Sequence, residues 1–364
     1  MKKKDLMFRG LDELFPLPAT TSSASAEMRY PPIDDLAIVK RVLSAYQLAA
    51  SDREDRGDSL WQGIFDARHR DIHRIFKDGR LDAAARVLRD PACTDLFYGI
   101  DDLAKSLLPN LDGPSSAYHY AASCLDGLVR LAEAIAAIRL ENPEGEPPQG
   151  PWTANPIVDE IETVLGQELS IPNIYPKELG VLTKRGIVSY RVPQAIYQAW
   201  RIKELVKDRP HARVLEIGAG VGRTAYYARK FGIEDYAIID LPMTVLASSY
   251  FLARTLGQDQ VLLWGEKTEG SQNPVKILPP SEFLDNGDSY DLIINIDSLT
   301  EMDPVVARTY WRQIEKRTKM FLSINHEVNP FRVKDLIGES KGVLVVGRAP
   351  YWMRKGYVEE LVQF

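Results

Sequence analysis

Three clusters of residues in this chain of 364 have the types and spacing that chemistry needs. The first is Val214-Leu215-Glu216-Ile217-Gly218-Ala219-Gly220-Val221-Gly222-Arg223, an apolar run with one acid followed by three alternating glycines. Gly218, Gly220 and Gly222 let a backbone turn tightly and approach a ligand where a Cβ would collide. A helix starting near Arg223 would offer free N–H groups and the positive end of its dipole to an electron-rich ligand. The second cluster is Asp240, which closes the apolar run Tyr236-Ala237-Ile238-Ile239 and is followed by Leu241. An acid in that place is suited to hold ribose hydroxyls. The third gathers polar groups from three later segments: Asn295, Asp297, Ser298, Thr300 and Glu301; Asn325, His326, Glu327 and Asn329; and Tyr351, Trp352, Arg354 and Lys355. Imidazole titrates near neutrality, so His326 is the first candidate for a general base, with Glu327 or Asp297 to orient its ring. Tyr351 and Trp352 are candidates to stack on a substrate ring, and Arg354 and Glu301 to bind it. Asp297, Glu301, His326 and Glu327 match no tight metal-ligand spacing, and no metal is expected.

These residues need a scaffold that brings strand ends together. From residue 212 onward the pattern alternates. Strands are expected at 212–217, 236–240, 260–264, 290–295 and 319–324, and helices near 223–231, 243–256, 303–317 and 331–338. Such alternation predicts a parallel sheet with helices on both faces, and ligands of such sheets sit beyond the carboxyl ends of the strands. Residues 342–347 and 357–363 are both strand-like with no helix between them, which predicts an antiparallel pair. Glu266 follows the expected third strand, beside the place of a nucleotide base. Tyr190 lies just before a helix that leads into the glycine-turn strand.

The rest of the chain divides by composition. Residues 1–32 are expected to form a flexible arm, with a polar Thr20–Ala26 stretch between prolines. Residues 33–140 carry helical periodicity, clearest where Leu125, Leu128, Leu131, Ile135 and Ile138 recur on one face. Residues 141–156 are rich in proline and glycine and are expected to be a linker, 157–211 a connecting or lid region, and 212–364 the cofactor-binding domain. The net charge of −6 and the lack of a dense basic patch argue against nucleic acid as partner. Cys93 and Cys124 lie far apart and fit free thiols in a reducing cytoplasm. The first residues lack the apolar run of a signal peptide or membrane span.

The segment Glu216-x-Gly218-x-Gly220-x-Gly222, followed by Asp240, resembles the first motifs of class I S-adenosylmethionine-dependent methyltransferases. The glycines alone also fit a dinucleotide pattern, because Gly220-x-Gly222-x-x-Ala225 satisfies it. The terminal hairpin and Glu216 favour the methyltransferase likeness. The resemblance implies a Rossmann-like seven-stranded sheet, parallel with a C-terminal antiparallel hairpin, preceded here by an α-helical N-terminal domain. It implies S-adenosyl-L-methionine as cofactor, held by Glu216, the three glycines, Asp240, Leu241, Glu266, Asn295 and Tyr190. Ile238–Pro242, Tyr290–Met302, Ile324–Pro330 and Pro350–Leu361 are similar to bacterial sugar O-methyltransferases. That likeness implies a small acceptor, a sugar or glycosylated metabolite, with Asp297, His326 and Glu327 in the chemistry. A phenolic or polyketide acceptor is the alternative, because such enzymes carry a helical N-terminal domain that forms homodimers and walls the pocket. A nicotinamide-dependent oxidoreductase is the remaining one.

Overall fold

The computed structural model describes residues 35–50, 59–103, 105–107, 109, 114–140, 152–267, 273–285 and 287–364. The expected arm at 1–32 and most of the expected linker lie outside these residues. Helices come first: α1 (Leu36–Ala49), α2 (Leu60–Ile64), α3 (Arg70–Lys77), α4 (Leu81–Arg89), α5 (Pro114–Ala134) and α6 (Ala154–Leu165). A short antiparallel pair, β1 (Val181–Thr183) and β2 (Gly186–Val188), leads to α7 (Arg191–Val206).

The sheet then builds from β3 (Arg213–Ile217), β4 (Asp235–Ile239), β5 (Val261–Leu263), β6 (Val275–Leu278), β7 (Leu292–Ile296), β8 (Met320–His326), β9 (Val345–Pro350) and β10 (Tyr357–Gln363). Between them lie α8 (Arg223–Lys230), α9 (Pro242–Thr255), α10 (Pro280–Asp285), α11 (Pro304–Arg317) and α12 (Val333–Glu339). The strand order is β5-β6-β4-β3-β7-β8-β10-β9. Strands β5 to β8 with β3 and β4 pair in parallel, and β10 runs antiparallel between β8 and β9. The expected mostly parallel α/β sheet with a closing hairpin is therefore present. It holds eight strands rather than seven. The added strand is β6, which pairs with β4 and pushes β5 to the edge. Only four residues long and flanked by Pro274, Pro279 and Pro280, β6 has too short an apolar run to show a period.

Period-two alternation sorts the strand side chains into two cores. Val214, Tyr236, Ile238, Leu292, Ile294, Leu322 and Ile324 face α7, α8 and α9, where Ile196, Tyr226, Tyr250 and Phe251 pack. Leu215, Ile217, Ala237, Ile239, Ile293 and Phe321 face α10, α11 and α12, meeting Phe283, Tyr310, Trp311 and Leu336. Full burial of one such large side chain contributes about 2–3 kcal/mol.

The helical region is bound to the sheet domain by ions as well as by packing. Arg41 on α1 forks onto Glu266 and also donates to the Val261 carbonyl. Asp35, at the start of α1, takes Arg89, Arg254 and the Tyr250 hydroxyl. Among the described residues no helix is long and apolar enough to cross a membrane.

Candidate active site

The strand order reverses between β4 and β7 on either side of β3, and a crevice opens there beyond the carboxyl ends. A cavity of about 500 Å³ occupies it. That size suits a drug-sized ligand. Its floor is the glycine turn. Gly218 has φ +79°, and an added Cβ there would collide with the Ser298 side chain. Ser298 has little freedom to move, because its hydroxyl bonds the Ile217 carbonyl and the Asn295 amide. The Gly220 N–H donates to Asp240 Oδ2 at 3.0 Å, and Asp240 Oδ1 accepts from the Leu241 N–H at 2.8 Å. The acid at the end of β4 is thus fixed against the turn at the end of β3.

Glu216, Gly218, Gly220, Asp240 and Leu241 all line the cavity, as expected. Gly222, with φ +87°, stands at the N-cap of α8. Glu216 is 1% exposed, and its carboxylate accepts from the Tyr236 hydroxyl at 2.8 Å. Burial pushes it up to about 8. Asn295 is a scaffold residue: it donates to the Ile217 carbonyl and accepts from the Leu299 N–H, holding the β7 loop against the turn.

The helical region roofs the cavity. Ser59, Trp61, Gly99 and Ile100 line it, and the neighbouring Asp101 pairs with Arg223 at the start of α8. The wall opposite the turn centres on Asp297, which has φ +55°. That conformation is uncommon outside glycine, asparagine and aspartate, and such backbone outliers concentrate at functional sites. Asp297 Oδ1 accepts from the Tyr357 hydroxyl at 2.7 Å, and Oδ2 takes Arg354 at 3.0 Å with Arg191 at 3.5 Å. His326 Nε2 lies 3.7 Å from Asp297 and 3.8 Å from Glu301. The Glu301 carboxylate, and after it Asp297, outweighs burial and raises the imidazole above its ordinary 6.5. Glu301 itself is raised by burial, and its other oxygen accepts from the Trp61 indole N–H at 3.0 Å.

Asp297, Glu301, His326 and Arg354 thus come together as the sequence suggested, but in depth order. Asp297 is in the cavity wall, while His326, Glu301 and Arg354 stand behind it. Asp297, Glu301 and His326 also lie close enough to meet a cation. Arg354 and Arg191 share one Asp297 oxygen, Oδ2.

Besides Asn295, five expected site residues lie elsewhere or do something else. Glu266 is spent on Arg41 and on the Leu263 N–H, because β5 is an edge strand. The loop after β6, Pro279-Pro280-Ser281, lines the cavity in its place. Glu327 turns outward to Arg348 instead of orienting His326. Tyr351 is 4% exposed, stacks edge-on against Tyr197 and accepts from Gln198, so it is core. Trp352 lies over Arg130 and donates to Glu133 on the α5 side. Tyr190 has Arg354 over its ring and is not in the cavity wall. Sequence reasoning grouped Ser298 with the strand-end polar residues, but missed Trp61 and Tyr357. Tyr357 starts the strand that pairs with β8 and stands opposite His326, a register that the hairpin with β9 does not set. Nothing local marks Trp61, whose position depends on how the helical region docks.

No protein-family model matches the chain, and no curated protein matches it. Solved structures do. The magnesium protoporphyrin IX methyltransferase from Synechocystis PCC 6803 with bound SAM is 14% identical, with TM-score 0.32, covering 48% of this chain and 84% of that one. A glycopeptide N-methyltransferase complexed with sinefungin is 14% identical, with TM-score 0.36, covering 46% and 93%. An S-adenosylmethionine-dependent methyltransferase from Clostridium acetobutylicum ATCC 824 is 11% identical, with TM-score 0.36, covering 46% and 90%. These are likenesses of fold over about half the chain, and the fold assignment above rests on strand order and register.

Proposed function

We propose that the protein is an S-adenosylmethionine-dependent O-methyltransferase acting on a hydroxyl of a sugar or glycosylated metabolite. One observation carries the reading: the glycine turn, Asp240 and Asp297 converge on one cavity at the reversal point of a sheet that ends in an antiparallel hairpin. The residues present fit the cofactor. Gly218 leaves the floor free of side chain, and Asp240 offers carboxylate oxygens suited to a ribose diol. Leu241, Pro279 and Pro280 supply apolar walls for a base. Arg191 lines the cavity, and its buried Nε has no hydrogen-bond partner among the described residues. A guanidinium so placed suits the carboxylate of an amino-acid moiety.

When bound, the cofactor supplies a methyl group activated by its sulfonium. The chain's task is to aim and deprotonate the acceptor. Asp297 in the wall accepts the acceptor hydroxyl, and fixed orientation alone lowers a barrier by about 7 kcal/mol in favourable cases. The proton passes towards Asp297 and His326, general-base assistance worth about 10²–10⁴-fold. Trp61 in the roof and the charged Asp297 wall support a polar ring as acceptor. The apolar lobe around Leu284, Met302 and Val306 favours the phenolic alternative.

Calorimetry with S-adenosylhomocysteine and with NADH tests the cofactor, and labelled S-adenosylmethionine with candidate sugars tests transfer. Binding of S-adenosylhomocysteine alone is expected; binding of NADH alone would overturn the reading. For the base, turnover is expected to rise with pH through a transition above 6.5, because His326 must be neutral to accept a proton. Glu301→Gln removes the largest cause of the raised value and is expected to move that transition to lower pH. A transition that stays put, or a His326→Ala enzyme with unchanged turnover, removes His326 from the role.

A further inference from the structure

Glu216 is the one acid in the cavity wall that is sealed from water and has no cationic partner among the described residues. It projects from β3 onto the sheet face covered by α7 and α8. From β4 it meets the Tyr236 hydroxyl and, at the strand end, the Asp240 carboxylate. From α8 it meets the Thr224 hydroxyl, which in turn donates to Gln198 of α7 at 2.7 Å. The other charged groups of the same wall are engaged elsewhere: Arg223 with Asp101, and Arg191 towards Asp297. Every group facing Glu216 is therefore neutral or negative. Desolvation and the Asp240 charge oppose ionisation, and the Tyr236 hydroxyl only partly offsets them, the Thr224 proton being spent on Gln198.

Such a carboxyl is a poor anchor for a neutral ligand and a responsive one for a cation. We infer that Glu216 discriminates the sulfonium donor from its thioether product by proton linkage, ionising when the donor's positive charge enters the cavity and taking its proton back when the neutral product is left. The inference rests on the cofactor assignment above. The balance is simple. In the unliganded protein burial and the Asp240 charge favour COOH at neutral pH. Donor binding releases one proton to solvent and leaves COO⁻ beside the added positive charge. After transfer the sulfur is neutral, and the carboxylate recovers a proton from solvent. Product affinity is then set by the remaining contacts, which donor and product share. Glu216 would so favour loading of the donor and departure of the product without a moving part.

The test is isothermal titration calorimetry of the whole protein with S-adenosylmethionine and S-adenosylhomocysteine, in phosphate and in Tris. Both ligands carry the same ammonium and carboxylate, so their difference isolates the sulfur charge. Near neutral pH the donor is expected to release on the order of one proton more than the product. Below the Glu216 transition, donor affinity is expected to rise about tenfold per pH unit while product affinity stays flat. Glu216→Gln should remove both differences. Tyr236→Phe keeps the acid but removes a hydrogen bond that favours its ionised form, and should move the release to higher pH; it serves if the Gln variant does not fold. Equal proton release for the two ligands in the native protein, or a difference that survives Glu216→Gln, overturns the inference. If neither ligand binds, the cofactor assignment itself falls.

Discussion

Alanine at Gly218 is expected to weaken S-adenosylhomocysteine binding by on the order of 100-fold, about 3 kcal/mol, and to lower stability by about 1–3 kcal/mol. Two separate causes act. At φ +79° an L side chain is strained whatever the space around it. The new methyl would also meet Ser298, which is fixed by the Ile217 carbonyl and Asn295 and cannot step aside. Relief must come from the turn itself, which would lift the Gly220 N–H off Asp240 and disturb the acid at the cavity floor. Gly232 separates the two causes. Its φ is +93°, and a Cβ there meets nothing within 4 Å. Gly232→Ala should therefore lose stability by strain alone and keep ligand affinity. Thermal unfolding with calorimetry on both variants makes the comparison. Native-like affinity in Gly218→Ala would mean that the turn does not contact the ligand.

What the sequence made legible was whatever depends on local pattern. The alternation of β3, α8, β4 and α9 is written in apolar runs, glycines and an acid that lie close in the chain, and the terminal hairpin is written in the absence of a helix after Gly342. The strand β6 was hidden because four residues between prolines carry no period. Its omission misplaced Glu266, which a third strand at 261–263 next to β4 would have brought to the cavity. At the edge it instead binds Arg41.

The proposed catalytic wall was legible as a set of residues and opaque as an arrangement. Asp297, Glu301 and His326 leave neighbouring strand ends, so topology alone brings them together. Their depth order depends on the unusual backbone of Asp297, the reach of Arg354 and Tyr357 across the hairpin, and the docking of Trp61 onto Glu301. Aromatic residues in the hairpin loop suggested a sugar platform because loops carry function. Tyr351 is drawn instead into the contact with α7, and Trp352 to α5, since the loop's job here is to join the sheet edge to the helical region.

The depth order makes Asp297 the most consequential side chain of that wall. Asp297→Asn is expected to lower methyl transfer by about 10²–10⁴-fold while leaving S-adenosylhomocysteine affinity within a few-fold. Asparagine tolerates φ +55° as aspartate does, so the backbone is undisturbed and the change reads charge and proton acceptance. One oxygen becomes an NH₂ group beside the guanidinium groups of Arg354 and Arg191, which can only donate, and beside the donating Tyr357 hydroxyl. Two half-buried guanidinium groups lose their shared counter-charge, and a stability loss of about 1–3 kcal/mol is expected. His326 loses one of the two carboxylates that raise it, so any residual activity should titrate at lower pH than the native enzyme. A purely structural Asp297 would give the stability loss with turnover preserved once folded protein is counted. Transfer within tenfold of native, measured on folded protein with labelled cofactor, would move the chemistry off this wall.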